Sequence, residues 1–283
     1  MDRRLLPATR THVDVRFKDA APNLTPVTAY EMRVARPVTD ILRRPDGPRD
    51  RQILWGDAFH VIENTGLYAF GRSEKDGYVG YVLAADLKVS GSITHKVASL
   101  ATHVYEAADF KTPDLMTLSH GALVDVVSDD GVYAELATGG FVPLSHLALV
   151  STRVSDPVKV AETYLGTPYL WGGNSRLGLD CSGLVQAALL AAGISCAGDS
   201  DLQEQAFAGF KTDDTPTRGD LFYWKGHVAM AVSDTMLIHA NAHHMQVQFE
   251  GIKDAITRIK ASGGGDVTAH ICLSGDCFNE LTF

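Results

Sequence analysis

The stretch Gly178-Leu179-Asp180-Cys181-Ser182-Gly183-Leu184-Val185-Gln186-Ala187-Ala188-Leu189-Leu190-Ala191-Ala192 sets a cysteine where a loop becomes a helix. Leu184, Val185, Ala188, Leu189 and Ala192 recur at helical spacing, so the pattern predicts a buried helix from about Ser182 with Cys181 at its N-terminal end. Unpaired amides and the positive end of the helix dipole favour a thiolate there, and the thiolate is the nucleophilic form of cysteine. Position alone leaves two readings open, a catalytic nucleophile or a small buried hydrophobe.

Around that stretch lies an ordinary globular composition. The chain has 283 residues, 45% of them hydrophobic and 21% charged, which is enough apolar material for two or three domains. A net charge of −9 and the lack of any Lys/Arg run argue against nucleic acid or an anionic membrane as partner and favour a small molecule. Two arginines near the N-terminus have no apolar segment behind them, and no later run is apolar enough to span a bilayer. Four cysteines in a chain of this size do not make a disulfide framework, and reduced thiols fit the same expectation of a cytoplasmic protein.

Residues 1–28 are polar and weakly periodic and read as an arm that wraps on something else. Residues 29–90 change to short alternating runs, such as Ala58-Phe59-His60-Val61-Ile62 and Gly80-Tyr81-Val82-Leu83, separated by turn-rich segments. This is a small all-β barrel pattern. Residues 91–150 repeat the order of events: Gly121 through Val127 matches Gly56 through Ile62, Gly131-Val132-Tyr133-Ala134 matches Gly66-Leu67-Tyr68-Ala69, and Gly140-Phe141-Val142 matches Gly80-Tyr81-Val82. Two copies of one barrel are therefore expected in tandem.

Residues 151–283 read as α+β, helices first and an antiparallel sheet after. Asp156-Pro157 opens a helix running to about Leu165, and a second short helix covers Asp201 to about Ala208. Strands are predicted at Asp220–Trp224, His227–Val232, Met236–Ala240, Met245–Glu250 and Val267–Leu273. Gly263-Gly264-Gly265 lacks the context of a phosphate loop and reads as a flexible connection.

A cysteine nucleophile needs a base, an orienter for the base, and donors for the developing oxyanion. His227 stands at a strand mouth after a tight turn, where a near-neutral pKa suits proton exchange with a thiol. His239, on the next strand, can bond the far nitrogen of His227 if the two strands form a hairpin; the alternative, ordinarily the favoured one for a lone histidine, is that each is a satisfied strand histidine. His243-His244 beside His239, and His270-Ile271-Cys272 with Cys277, each lack the second half of a ligand set, so no metal is expected; His244 can instead line the cleft. Cys196, Cys272 and Cys277 read as plain thiols, and Trp171 and Trp224 as packing residues.

Asp180-Cys181-Ser182-Gly183-Leu184-Val185, preceded by Pro168-Tyr169-Leu170-Trp171-Gly172-Gly173 and followed by Gly219-Asp220-Leu221-Phe222-Tyr223-Trp224, Gly226-His227-Val228 and Ile238-His239-Ala240, resembles the NlpC/P60 family of cell-wall cysteine peptidases over residues 155–283. The barrels resemble the bacterial SH3-like domains found beside such enzymes. The resemblance implies two SH3-like barrels followed by a papain-like α+β domain, with Cys181 as nucleophile, His227 as base, His239 as third polar residue and Tyr169 on the oxyanion side. It is similar in layout to the γ-D-glutamyl-L-diamino-acid endopeptidases, which implies hydrolysis through a thioester of a murein peptide with a free N-terminal L-Ala, by a monomer without cofactor, in murein-peptide recycling. In that branch the amine is held by the aspartate before the cysteine, here Asp180, with Ser182 nearby and Ser200 lining the pocket. A barrel tyrosine closes the site in that branch, usually within Tyr-Pro-Gly-Trp; the chain has Tyr78-Val79-Gly80-Tyr81 instead, so Tyr78 is the residue that corresponds. Asp57 or Glu63 answers to an acidic group expected from the same barrel. The alternatives are a non-catalytic wall-fragment binding module and an amidase or acyltransferase on the same fold.

Overall fold

The alternating runs between residues 30 and 88 fold into seven antiparallel strands in the computed structural model, which describes residues 2–89 and 91–273. The chain divides into two compact units, Met1–Thr152 and Arg153–Phe283. In the first unit the seven strands lie in the order Arg49–Leu54, Val38–Leu42, Val79–Leu83, Tyr68–Ser73, Ala58–Asn64, Tyr30–Val34, Leu87–Lys88. Their inward residues, among them Val34, Ile41, Ile53, Phe59, Val61 and Val82, form one core. The arm before them packs on this sheet. Arg3 pairs with Asp50 at 2.8 Å, Val79 N–H donates to the Arg4 carbonyl at 2.8 Å, and Val13 is fully buried.

The following strands repeat that order. Asp114–Ser119, Ala101–Tyr105, Phe141–Pro143, Tyr133–Leu136 and Val126–Asp129 form a five-stranded sheet, and Leu123–Val124, His95–Val97 and Leu147–Leu149 a three-stranded one. The difference from the first sheet is a break at Asp125, which splits the counterpart of Ala58–Asn64 into two short strands. Equivalent turns use glycine in the left-handed region, Gly56 (φ 80°) with Gly121 (φ 84°) and Gly66 (φ 90°) with Gly131 (φ 87°). At Gly56 a second constraint applies, because a Cβ would run into the Leu123 carbonyl.

The end of the seven-stranded sheet packs into the core of the five- and three-stranded sheets. Leu54 and Trp55, at the end of a strand of the first sheet, pack with Val97, Val104, Leu118, Val124 and Val142 of the second set. The Lys88 ammonium lies 4.6 Å from the Trp55 ring centre.

In the second unit a five-stranded antiparallel sheet runs in the order Gln246–Gly251, Met236–Asn241, His227–Ala231, Leu221–Trp224, Ala269–Ile271. Helix α1 is Pro157–Thr163, N-capped by Asp156, whose carboxylate accepts from Val158 N–H at 3.0 Å; it ends two residues before the predicted Leu165. Helix α2 is Cys181–Ala191 and helix α3 Ser200–Ala206. Helix α2 packs on the strands His227–Ala231 and Met236–Asn241. One element departs from the helices-then-sheet expectation: Ile252–Ala261 is a helix, α4, between the last two strands. Ile252, Ala255 and Ile259 face Phe222, Trp224, Ala229 and Leu237 in the core, and Gly263 (φ 87°) begins the exit from the helix. No helix among the described residues is long and apolar enough to cross a membrane.

Replacing Trp55 by Ala removes the largest side chain of the core that joins the end of the strand Arg49–Leu54 to the strands after residue 94. Denaturant unfolding should show the first unit destabilised by about 3–5 kcal/mol, and an unchanged midpoint would show that Trp55 does not hold that core together.

Candidate functional site

Helix α2 begins at Cys181 itself because Asp180 caps it. Asp180 Oδ1 accepts from Gly183 N–H at 2.6 Å and from Ser182 Oγ–H at 2.8 Å, while Oδ2 accepts from Gly172 N–H at 3.0 Å. One carboxylate therefore ends the loop, starts the helix and fixes the cysteine between them. Gly183 allows the close approach, since a Cβ there would meet the Gly173 carbonyl. Helix α3 is tied to the same helix start by Gln203, whose Nε2 donates to the Ser182 carbonyl at 3.0 Å. Ser200, the first residue of α3, and Ser182 are both buried.

The partner strand is set by a two-residue turn. Trp224 pairs with His227 across Lys225-Gly226, with Gly226 at φ 78°, so His227 is the first residue of its strand. The next residue, Val228, sends its backbone N–H to the Cys181 sulfur. Met230 pairs with Ile238 on the neighbouring strand, and carrying that register on sets His239 opposite Ala229 and diagonal to His227 on the same face. His227 Nε2 and His239 Nδ1 are 3.0 Å apart. The sheet thus sets His227 beside His239, and the Val228 N–H ties the Cys181 sulfur to the residue next to His227.

Tyr169 reaches the site from the loop after α1. Its backbone N–H donates to the Met245 carbonyl at 2.9 Å, and Leu179 N–H donates to the Pro168 carbonyl at 3.1 Å, which tethers the loop beside the start of α2. Burial raises the Tyr169 hydroxyl above its ordinary pKa, and negative charge on Cys181 and Asp180 adds to this, so the phenol stays a proton donor.

Burial dominates the electrostatics. It pushes the Cys181 thiol up to about 12, reinforced by Asp180 and opposed by amides of Val228, Ser182 and Cys181 itself. This reverses the expectation of a thiolate favoured by the helix end, because Cys181 is only 7% exposed. Burial also holds His227 down at about 3, with His239 and Arg258 acting in the same direction, and His239 down at about 4, against the pull of Glu250. The resting site is a neutral thiol beside two neutral imidazoles.

Two residues complete the line that the sequence alone does not single out. His239 Nε2 lies 3.0 Å from Glu250 Oε2, with its N–H off the line of an ideal hydrogen bond. Arg258, on α4, donates from Nε to Glu250 Oε1 at 2.8 Å and from a terminal nitrogen to Oε2 at 2.7 Å, and this keeps the carboxyl below its ordinary pKa. Pairing of His239 with Gln248 makes Glu250 a diagonal neighbour on the same face, a relation that becomes legible once the hairpin register is known.

The residues expected from the first unit are held by contacts within that unit. Tyr78 is 2% exposed in the core of its barrel, with the Arg51 guanidinium 5.9 Å from its ring centre, so its ring packs inside the barrel rather than presenting a binding surface. Tyr81 is half-buried against Phe70. Asp57 accepts from Leu54 N–H in its own turn and from the Lys75 ammonium in the turn after Ser73, both at 2.9 Å, and Glu63 lies 3.6 Å from His12. Trp224 is buried as a packing residue, whereas Trp171 is 70% exposed, a correction that follows from its place at the tip of the loop before Gly172. Ligand atoms of His239, His244 and Glu250 come within 4.8 Å of one another. Arg258 already neutralises that carboxylate, so the set does not fit a cation. His244 instead bonds Asn241, with Nδ1 3.1 Å from the amide oxygen. His270 is bonded to Asp220 at 2.9 Å, and Cys277 lies outside the described residues.

Both buried imidazoles have folded pKa values below the ordinary 6.5, so the folded state binds fewer protons than the unfolded one between about pH 6.5 and 3. Their contribution to stability is complete above pH 6.5 and declines as pH falls, at up to about 1.4 kcal/mol per pH unit for each histidine. Thermal unfolding of His227→Gln between pH 7 and pH 5 should therefore show a shallower loss than wild type; parallel curves would contradict the buried neutral imidazole.

Comparison with known proteins supplies a name for this arrangement. Residues 166–261 match the model of the NlpC/P60 family, and residues 41–87 that of the bacterial dipeptidyl-peptidase SH3 domain. A dipeptidyl-peptidase 6 of Lysinibacillus sphaericus is 27% identical over 72% of this chain and 84% of its own length. A γ-D-glutamyl-L-lysine dipeptidyl-peptidase of Bacillus subtilis is 26% identical over 81% of each. The crystal structure of an NlpC/P60 family protein from Bacillus cereus superposes with a TM-score of 0.72 at 17% identity, covering 86% of this chain and 99% of that one, which shows a shared fold. With a capped cysteine facing a histidine strand inside residues 166–261, the chain is a cysteine-type peptidase built from an NlpC/P60 domain preceded by a bacterial dipeptidyl-peptidase SH3 domain.

Proposed function

We propose that the chain hydrolyses the bond between the γ-carboxyl of D-Glu and a diamino acid in short murein peptides that carry a free N-terminal L-Ala. The observation that carries this reading is the Asp180 carboxylate beside the nucleophile. It is 8% exposed, Oδ1 holds two donors, and Oδ2 holds the Gly172 N–H, which leaves a second acceptor direction on Oδ2 for a substrate ammonium. Ser200 at the start of α3 adds a hydroxyl near the same helix start, and Ser182 supports the carboxylate from behind. The dipeptidyl-peptidase names of the two relatives agree with an enzyme that measures two residues from a free amino terminus.

In the reaction Cys181 Sγ attacks the γ-carbonyl of D-Glu while His227 takes the thiol proton. The oxyanion is met by the Tyr169 hydroxyl and the Cys181 amide. Collapse breaks the C–N bond, His227 returns its proton to the leaving amine, and the acyl group remains on sulfur as a thioester. Water, deprotonated by His227, then releases the L-Ala-γ-D-Glu acid. The repeated strand order supports reading residues 91–150 as a second barrel of the SH3 type, acting as scaffold.

Incubation with L-Ala-γ-D-Glu-diaminopimelate and with its N-acetylated form tests the reading. The free-amine peptide should be cleaved and the acetylated one hardly at all; no cleavage of the free-amine peptide would refute the proposal, and equal cleavage of both would remove the Asp180 amine pocket. Asp180→Asn keeps an N-cap but loses the charge, so kcat/KM on the free-amine peptide should fall about 10- to 100-fold, the scale of a hydrogen bond to a charged group. Cys181→Ala should retain the fold and lose more than about 10³-fold in kcat.

A further inference from the structure

The second imidazole ends against a carboxylate whose two oxygens are both held by one guanidinium, and this determines where every proton in the line sits. His239 Nε2 is 3.0 Å from Glu250 Oε2. Two lone pairs at that separation would repel, so Nε2 carries the proton whatever the angle of approach. A neutral His239 then has its lone pair on Nδ1, which lies 3.0 Å from His227 Nε2. Neither two protons nor two lone pairs can share that gap, so His227 Nε2 carries a proton and donates it. The remaining ring nitrogen of His227, Nδ1, is left with a lone pair.

We infer that Glu250, held in place by Arg258, is a positioning residue that fixes the tautomers of both histidines so that His227 offers Nδ1 as the base. The inference rests on Cys181 as nucleophile and His227 as its base. Glu250 touches neither substrate nor sulfur; it acts through His239. Without its charge the opposite chain becomes available: His239 protonated on Nδ1, His227 accepting on Nε2 and carrying its proton on Nδ1. In that form His227 presents a donor where the thiol needs an acceptor, and the proton transfer that starts the reaction has no destination. Arg258 sits one turn from the end of α4, so the helix that follows the catalytic hairpin has a place in the site through this one residue. Burial keeps both imidazoles uncharged, which is the condition under which a tautomer choice exists at all.

The test compares wild type, Glu250→Gln and the double variant Glu250→Gln/Arg258→Gln, the last removing both charges together so that no buried cation is left unpaired. Nitrogen-15 NMR of histidine-labelled full-length protein reads the tautomers directly and needs no substrate. Wild type should show a single Nε2–H form for both His227 and His239, and the variants a mixture containing Nδ1–H. On the free-amine peptide kcat should fall about 10- to 100-fold, with KM within about twofold, as for other groups that orient a functional ligand from behind. Unchanged tautomers in a folded variant, or unchanged kcat, would overturn the role of Glu250. Failure of wild type to cleave the peptide while the tautomers shift would overturn the substrate assignment and leave the positioning role standing.

Discussion

A cysteine at the first position of a buried helix takes its place from the cap that starts the helix, and here the Asp180 carboxylate provides it. Its bonds to Gly172, Ser182 and Gly183 join the incoming loop to the first turn of α2, so the direction of the helix and the place of Cys181 follow from the same three contacts. The glycines around it are needed for approach rather than for flexibility; a side chain at Gly183 would strike the Gly173 carbonyl. A capping residue that also keeps one acceptor direction open can serve structure and recognition together, which is why a change of charge at Asp180 and a change of capping ability are separable.

The other half of the site is a matter of sheet register. The Lys225-Gly226 turn fixes where His227 begins its strand, the pairing of Met230 with Ile238 fixes His239 one place along and diagonal to His227, and the pairing of His239 with Gln248 brings in Glu250. A shift of one residue in any of these pairings would turn one member of the line to the opposite face. Burial then favours the uncharged thiol and imidazoles, so the site has its geometry before its charges.

The sequence shows much of this plainly because the decisive signals are local. A helix with Leu184, Val185, Ala188 and Leu189 on one stripe and an aspartate before it is a cap-and-helix pattern, and repeated turn glycines such as Gly56 and Gly121 announce a repeated strand order. Helix α4 carries an equally local signal, Ile252, Ala255, Ile256 and Ile259, that is hidden by its position between two strands of the same sheet. Glu250 and Arg258 are invisible for a different reason. Each looks like an ordinary charged surface residue until hairpin pairing and the return of α4 bring them to His239. Trp171 and Tyr78 show that aromatic character alone does not separate loop tip from core: the tryptophan is exposed and the tyrosine is buried over a guanidinium.

The central claim is that Cys181 carries the acyl group of the substrate during turnover, and acid quenching followed by peptide mapping addresses it directly. With L-Ala-γ-D-Glu-diaminopimelate in excess, the tryptic peptide containing Cys181 should carry the dipeptide acyl group as an alkali-labile thioester. An adduct on Cys196 or Cys272 instead, or turnover with no adduct on any cysteine at quench times shorter than one catalytic cycle, would contradict the account.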